Sequence, residues 1–295
     1  MHNKAPEIAK SEEDFIDPLL DKFVMNATAL NAYLECPLKF YFNNLIRIPS
    51  VKNESMEFGS AVHYALQSLF EKMKKNGDAF PPPEVFVADF KWYIDRNREN
   101  FTKESYDRAI HYGHKILPAY YDKNIDTWQK VVSVERNIQN VVVKNVPIKG
   151  KLDKLEFAGS DVNVVDYKTG KYKNAKPKLK SPNPAKEGDI GGDYWRQAVF
   201  YKILVDNDTN NNWKAVSTQF DFIEPDDDGE YFTEKIVISP NDIAIVTEQI
   251  SDTWQKIQNK EFTKGCGKPD CDYCNLVKNN KIFVKLHNLS EQEEG

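Results

Sequence analysis

The sequence is poor in cysteine: four in 295 residues, too few to staple a chain of this size with disulfides. No run reaches the roughly 18 to 20 uncharged apolar residues that a membrane-spanning helix needs, so no membrane partner is expected. The start, MHNKAPEIAKSEEDFIDPLL, has no apolar h-region, so no secretory leader is expected and the chain is placed in the cytoplasm. No internal repeat is visible. At 40% hydrophobic and 12% aromatic, the composition excludes disorder throughout. The length suffices for one large domain or two small ones, with a real core. The net charge of −5 speaks, taken globally, against a nucleic-acid binder.

The text along the chain changes character several times. Residues 1–25 are charged and patternless, which reads as a flexible tail or linker. NATALNAYLECPLKFYFNNLI suggests a short helix and then a turn or second helix opened by Pro37. An amphipathic helix is expected from near Gly59, and helical text from about 86 to 127 completes a helical lobe over 59–127. Three bursts of strand text follow, VVSVERNIQNVVV, VPIKGKLDKLEF and VNVVDYKTG, broken at Asn145 and at Gly159–Ser160–Asp161. Residues 171–193 form a polar loop rich in Lys, Pro and Gly. Then come a helix (YWRQAVFYKILV), a hairpin around Asp226–Gly229, and a helix capped by Ser239 or Asn241. This order predicts a mixed α/β fold, with a sheet core over about 130–260. A cysteine-rich clamp at 266–274 and an acidic tail at 287–295 end the chain.

The strand ending Val164-Val165-Asp166-Tyr167-Lys168 carries the most chemistry. Side chains alternate along a strand, so Asp166 and Lys168 share a face at the rim of an apolar run. Asp153 lies on the preceding strand, within reach of Asp166 in a hairpin. Two converging carboxylates repel unless a cation lies between them, and an all-oxygen site suits Mg²⁺ or Mn²⁺. Such an ion polarises a phosphoryl oxygen, and Lys168 would contact the phosphate or the attacking water. The plainer alternative is a surface salt bridge between Asp166 and Lys168. His63 shares a helix face with Gly59 and Phe70, either as a ligand or as a satisfied core histidine, and its small neighbours allow a close approach. Gln197 and Tyr201, at i and i+4 beside Arg196, either reach a phosphate or hold the strands.

Cys266, Cys271 and Cys274 crowd into GCGKPDCDYC, while Cys36 stands alone. Four thiolates satisfy tetrahedral zinc or an iron–sulfur cluster. Buried free thiols are the other reading. Acidic runs at Asp206–Asp208 and Asp226–Asp228 lack the glycine and the terminal acidic residue of a calcium loop and read as turns.

Taken together, CPLKFYF with Cys36, FGSAVHYAL with His63, GKLD with Asp153, DYKTGK with Asp166 and Lys168, and QAVFY with Gln197 and Tyr201 resemble a known family. Their order over residues 26–274 is similar to the PD-(D/E)XK nuclease superfamily, in particular the RecB/AddB-type nuclease domain of helicase–nucleases. The resemblance implies a restriction-endonuclease-like mixed central sheet flanked by helices, in a single nuclease domain over 26–286. It implies metal ligation by His63, Asp153, Asp166 and the backbone carbonyl of Tyr167, with Lys168 as catalytic lysine. Gln197 and Tyr201 would lie by the DNA path, and Glu135 matches an acidic residue of the first strand motif. Iron–sulfur members place one cysteine before the core and three after it. Cys36 and the triplet follow that topology, so a [4Fe-4S] cluster is implied, with zinc as the alternative. Here the triplet is C-x4-C-x2-C, whereas the family places its C-x2-C first. The chain lacks G-x-x-x-x-G-K-[ST], so a helicase domain or subunit would supply the motor.

The implied activity is a deoxyribonuclease, exonuclease or endonuclease, acting in DNA repair or recombination. A DNA- or helicase-binding module with weak cutting, and a zinc-stabilised adaptor, are its rivals. Between Lys168 and Lys186 the chain carries a lysine run with no acidic residue, including Lys171 and Lys173. These lysines, with Arg196, either contact DNA phosphates or are solvated loop. Tyr167, Tyr172, Tyr194 and Trp195 either stack on unpaired bases or pack in the core.

Overall fold

Alternating apolar residues over 132–168 produce three consecutive strands, β1 (Val132–Val143), β2 (Val146–Ala158) and β3 (Asp161–Lys168). The computed structural model describes residue 7 and residues 13–49 and 54–279. Lys144 and Asn145 both take positive φ, 47° and 64°, closing the β1–β2 loop as the two-residue turn that suits right-handed strand twist. Gly159, at φ 67°, opens the turn between β2 and β3. The sheet runs β1-β2-β3-β4-β5, where β4 is Lys214–Phe222 and β5 is Thr233–Ile236. β2 pairs antiparallel with β3, β3 parallel with β4, and β4 antiparallel with β5. The parallel step needs a crossover, and α8 (Asp193–Asp206) supplies it.

The chain divides into two compact units. The larger takes Ser50–Val141 and Lys149–Val246. In it, α4 (Glu54–Lys75), α5 (Pro83–Arg96) and α6 (Lys103–Asn124) form the expected helical lobe. Ala61, Val62, Ala65, Leu66, Leu69, Phe70 and Met73 recur at helical spacing along α4 and are buried. They join Phe86, Phe90, Leu117 and, from the sheet, Val165 and Tyr167 in one core. On the opposite sheet face, Ala198 of α8 packs with Phe220 and Phe222 of β4. Helices therefore cover both faces, in the restriction-endonuclease-like arrangement.

The smaller unit takes Met1–Pro49, Val142–Ile148 and Thr247–Gly295. It holds α1 (Glu13–Asp21), α2 (Ala27–Glu35), α3 (Pro37–Phe40), a π-helical turn Tyr41–Leu45 and the later part of α9 (Pro240–Gln258). Phe40 meets Phe23 and Tyr33 edge-on, Phe23 stacks on Trp254 at 5.8 Å, and Tyr41 stacks on Phe262 at 5.5 Å.

Two expectations change. Residues 13–25 are not a tail: they contain α1, bury Ile16 and Leu20, and lead into Met25, which is fully buried and bridges to Ile148. The apolar i, i+4 pair Ile16 and Leu20 was masked by the acids around it. The loop over 171–193 contains short helices, α7 (Tyr172–Ala175) and a 3-10 turn Lys176–Leu179. α9 is capped by Ser239, whose Oγ accepts from the Asp242 amide at 3.2 Å while Asp242 accepts from Ser239 in return. The acidic tail expected at 287–295 lies outside the described residues. Among those residues, no helix is long and apolar enough to cross a membrane.

α5 and α6 approach closely at Gly113, where a Cβ would stand 2.2 Å from the buried Phe90 ring. Gly113→Ala is expected to lower stability by about 1–3 kcal/mol through overpacking, against a helix-propensity gain of roughly 1 kcal/mol. A urea midpoint equal to or above wild type would contradict the packing account.

Candidate active site and cysteine centre

The polar site grows from the end of the β2–β3 ladder. Pairing stops at Lys154↔Val165, which leaves the next backbone donors of β3 open. The Asp153 carboxylate takes one of them: its Oδ2 accepts from the Tyr167 amide at 2.9 Å. Asp153 shares a sheet face with Leu155, Val164 and Asp166, because Leu155 lies opposite Val164. His63 comes in from α4, with Nδ1 3.3 Å from the same Asp153 oxygen. The approach depends on Gly59, one turn earlier, where a Cβ would stand 3.2 Å from Thr169 Oγ1. Gly59 therefore lets α4 lie close to Thr169, just past the end of β3.

Asp166 is only 4% exposed. Its Oδ1 accepts from Gln197 Nε2 at 3.0 Å and from the Tyr201 hydroxyl at 3.2 Å. Lys168 Nζ lies 2.7 Å from Asp166 Oδ2, an ion pair that gives this buried oxygen its partner. Lys168 also donates to Gln197 Oε1 at 3.0 Å and sits over the Tyr194 ring at 4.4 Å. Gln197 thus bridges the acid and the lysine, and it also donates to the Tyr201 hydroxyl at 2.6 Å. The Asp166–Lys168 pair is a largely buried ion pair, not an exposed one.

Glu135 on β1 joins this group. One ligand atom each from His63, Glu135 and Asp153 lies within 4.8 Å of the others. Its backbone takes φ 51° inside a strand, a left-handed conformation that costs energy for any residue with a Cβ. Lys151 forms an ion pair with it. Asp166 lies outside this tightest group.

The charges are strongly coupled. Burial pulls the His63 pKa down, but Asp153, then Asp166 and Glu135, outweigh it and push it up to about 9. Burial pushes the Asp153 carboxyl up, yet His63, the Tyr167 amide and Lys168 hold it below the usual range. Asp166 ends above its ordinary value: burial raises it, Lys168 lowers it, and Asp153 adds repulsion. Lys168 is pulled down by burial and held up more strongly by Asp166, so it stays charged at neutral pH.

Other expected residues fall elsewhere. Arg196 is 3% exposed and donates to the backbone carbonyls of Ile190 at 2.7 Å and Gly191 at 3.0 Å, so it anchors the loop. Burial lowers its pKa to about 10. Tyr167 and Trp195 are buried, Tyr194 stacks on Phe220 at 5.4 Å, and Tyr172 stacks on Phe232 at 4.6 Å, so these aromatics pack. Lys171 and Lys173 both reach one acid, Asp227. Sequence reading passed over Asp227 as a turn residue; its only signal was a triple acid facing a lysine run.

In the smaller unit the four cysteines converge, with one sulfur of each lying within 4.8 Å of the others. Cys36 Sγ is 3.9 Å from Cys274 Sγ, and Cys266 Sγ is 3.8 Å from Cys274 Sγ. The Cys266 amide donates to Cys36 Sγ at 3.4 Å. All four are free thiols. Zinc–sulfur bonds of about 2.3 Å in a tetrahedron require sulfurs about 3.8 Å apart. The Cys36–Cys274 and Cys266–Cys274 spacings match that edge, and all four sulfurs lie within 4.8 Å of one another. A cubane spreads its thiolates over four separate irons, which demands a wider set. The donors therefore fit a single tetrahedral ion.

A hard divalent cation also fits the other group, whose donors are one imidazole nitrogen and carboxylate oxygens. His63 is protonated at pH 7 and must lose its proton to ligate. Mg²⁺ or Mn²⁺ binding is therefore expected to release about one proton, read by calorimetry in buffers of different ionisation enthalpy. Binding heats independent of the buffer would remove His63 from the ligand set.

Comparison with known proteins follows this geometry. The model of the PD-(D/E)XK nuclease superfamily matches residues 24–278. A solved structure of a candidate exonuclease from Eubacterium rectale superposes with a TM-score of 0.50 at 12% identity, covering 91% of this chain and 93% of that one. At that identity the likeness is one of fold. The structure of SSO0001 matches at 13% identity and a TM-score of 0.30, over 85% of this chain and 89% of that one. No curated protein matches.

Proposed function

The chain belongs to the PD-(D/E)XK nuclease superfamily, and from that premise we propose that it is a Mg²⁺- or Mn²⁺-dependent deoxyribonuclease. The observation that carries this reading is the end of β3. There Asp166 and Lys168 stand together, and Asp153 and His63 close on them. His63, Asp153, Asp166 and the Tyr167 carbonyl would hold the cation, with Glu135 as a further carboxylate. Asp166 is nearly buried and its carboxyl is pushed above the ordinary range by burial and by Asp153, an environment that a cation relieves. The ion supplies Lewis-acid polarisation of the phosphoryl oxygen and favours ionisation of a water molecule.

The chain's own residues do the remainder. Lys168, held charged by Asp166, neutralises charge that builds on the phosphate in the transition state. Gln197 orients both partners, because its amide oxygen takes the Lys168 proton donor while its nitrogen serves Asp166. Tyr201 fixes the second edge of the acid. Lys171 and Lys173 offer contacts to strand phosphates without reading bases.

The order of motifs from Cys36 to Cys274 supports the RecB/AddB type within the superfamily. On that reading the enzyme trims DNA in repair or recombination, beside a helicase motor, in the cytoplasm where free thiols persist. For the cysteine centre we take zinc over a [4Fe-4S] cluster, because the sulfur spacings suit one ion.

Purified protein is expected to degrade linear DNA with Mg²⁺ or Mn²⁺ and to stop with EDTA. Asp166→Ala and Lys168→Ala are each expected to lose about 100- to 1,000-fold in rate. If both variants and the EDTA sample cut like wild type on gels, the nuclease reading is wrong.

Elemental analysis is expected to find about one zinc per chain, lost in Cys36→Ser. Iron with visible-range absorbance would reverse the choice between zinc and cluster. Neither metal would remove the thiolate centre altogether.

A further inference from the structure

Lys171 and Lys173 follow the catalytic strand by three and five residues, and their ammonium groups converge on the two oxygens of a single carboxylate. Lys171 Nζ pairs with Asp227 Oδ1, and Lys173 Nζ lies 2.8 Å from Asp227 Oδ2. One oxygen for each cation is how two lysines would also share a phosphodiester.

Both sides of this clamp are built. Tyr172, between the lysines, is stacked on Phe232 at 4.6 Å, meets Phe222 edge-on, and donates its hydroxyl to Glu234 at 2.7 Å. Its neighbours are therefore presented from a fixed backbone. On the other side, Asp226 Oδ1 accepts the amides of Asp228 at 3.0 Å and Glu230 at 2.9 Å, and Gly229 takes φ 86° to complete the turn. This Asx turn aims the next carboxylate, Asp227, outward. The two lysines hold Asp227 ionised, with a pKa lowered to about 2. All three side chains are substantially exposed, at 36%, 59% and 66%. Exposed ion pairs are weak, so a polyanion displaces Asp227 readily.

We propose that Lys171 and Lys173 form a subsite for one backbone phosphate of a DNA strand, and that Asp227 occupies it as an internal anion until the strand arrives. The β4–β5 turn then acts as a competitor that admits strongly held strands and excludes weakly held ones. This inference rests on the nuclease reading for its ligand, and on the Lys171–Asp227–Lys173 geometry for its location.

The test is fluorescence anisotropy of a labelled single-stranded oligonucleotide on the full chain in EDTA, over a range of salt. Asp227→Asn is expected to bind about 3- to 10-fold tighter at low salt, with a log–log salt slope steeper by about 1 to 2. Asp228→Asn removes the same charge one residue away and is expected to change affinity less than about twofold. In Lys171→Ala/Lys173→Ala, adding Asp227→Asn is expected to gain nothing. Equal gains from Asp227→Asn and Asp228→Asn would overturn the subsite and reduce the effect to net charge. A gain that survives loss of both lysines would overturn it too. Oligonucleotide binding by none of the proteins would defeat this inference and the DNA-processing reading together. Equal Asp227→Asn and Asp228→Asn binding beside intact cutting would defeat this inference alone.

Discussion

Asp166 keeps a carboxyl group almost out of water at the end of an apolar strand. An uncompensated charge there costs several kcal/mol. Its neighbourhood is arranged around that cost. Lys168 supplies the opposite charge, Gln197 and Tyr201 supply neutral donors, and Gln197 ties the lysine to the same frame. The parallel β3–β4 step requires a crossover, and α8, which supplies it, carries both neutral donors. Topology and electrostatic need thus meet in one helix. The compensation is incomplete: Asp153 adds repulsion, and Asp166 stays above its ordinary pKa.

The second carboxylate is held by a different device. Asp153 sits where the ladder between β2 and β3 has ended, so the Tyr167 amide is available to it. Beyond the ladder, His63 adds a second donor and a charge. That contact needs α4 close to the strand end, and Gly59 removes the Cβ that would hold it off. Glu135 reaches the same region from a strained left-handed backbone, which the surrounding sheet over-determines.

Much of this was legible in the sequence because periodicity and spacing are local. Strand alternation placed Asp166 and Lys168 on one face, and i, i+4 spacing placed Gln197 and Tyr201 together, as the hydrogen bonds show. What stayed hidden depends on long-range partners. Arg196 looked like a phosphate ligand because charge usually means surface; its burial depends on loop carbonyls that only the fold brings near. The aromatics near the site stayed open between stacking and packing because their partners lie on β4 and the segment before β5. α1 was hidden by its acids, since two apolar residues among many charges give little periodic signal. The lysine run looked bare because the opposing Asp227 lies more than fifty residues later.

The cysteine centre poses a separate question of necessity. Cys36 and Cys266 are 230 residues apart in sequence, and a covalent closure of that span would be worth about 5 kcal/mol on chain-entropy grounds. In a small metal domain such closure is the fold itself. Here the same chain segments also meet through apolar contact: Phe23 on Trp254, Phe40 near Phe262, and the Tyr33 hydroxyl on the Glu261 carbonyl at 2.9 Å. Buried aromatics each contribute about 1.5–3 kcal/mol by transfer alone. The aromatic set is therefore comparable in size with the metal closure. Cys36 is completely buried beside Leu38 and Val277, so the thiols are also part of a packed core. A bound cation would act locally, where the four sulfurs meet and burial raises the Cys266 thiol to about 12 and opposes its ionisation. By removing that opposition it would favour thiolates there, a contribution separate from the closure that packing already provides.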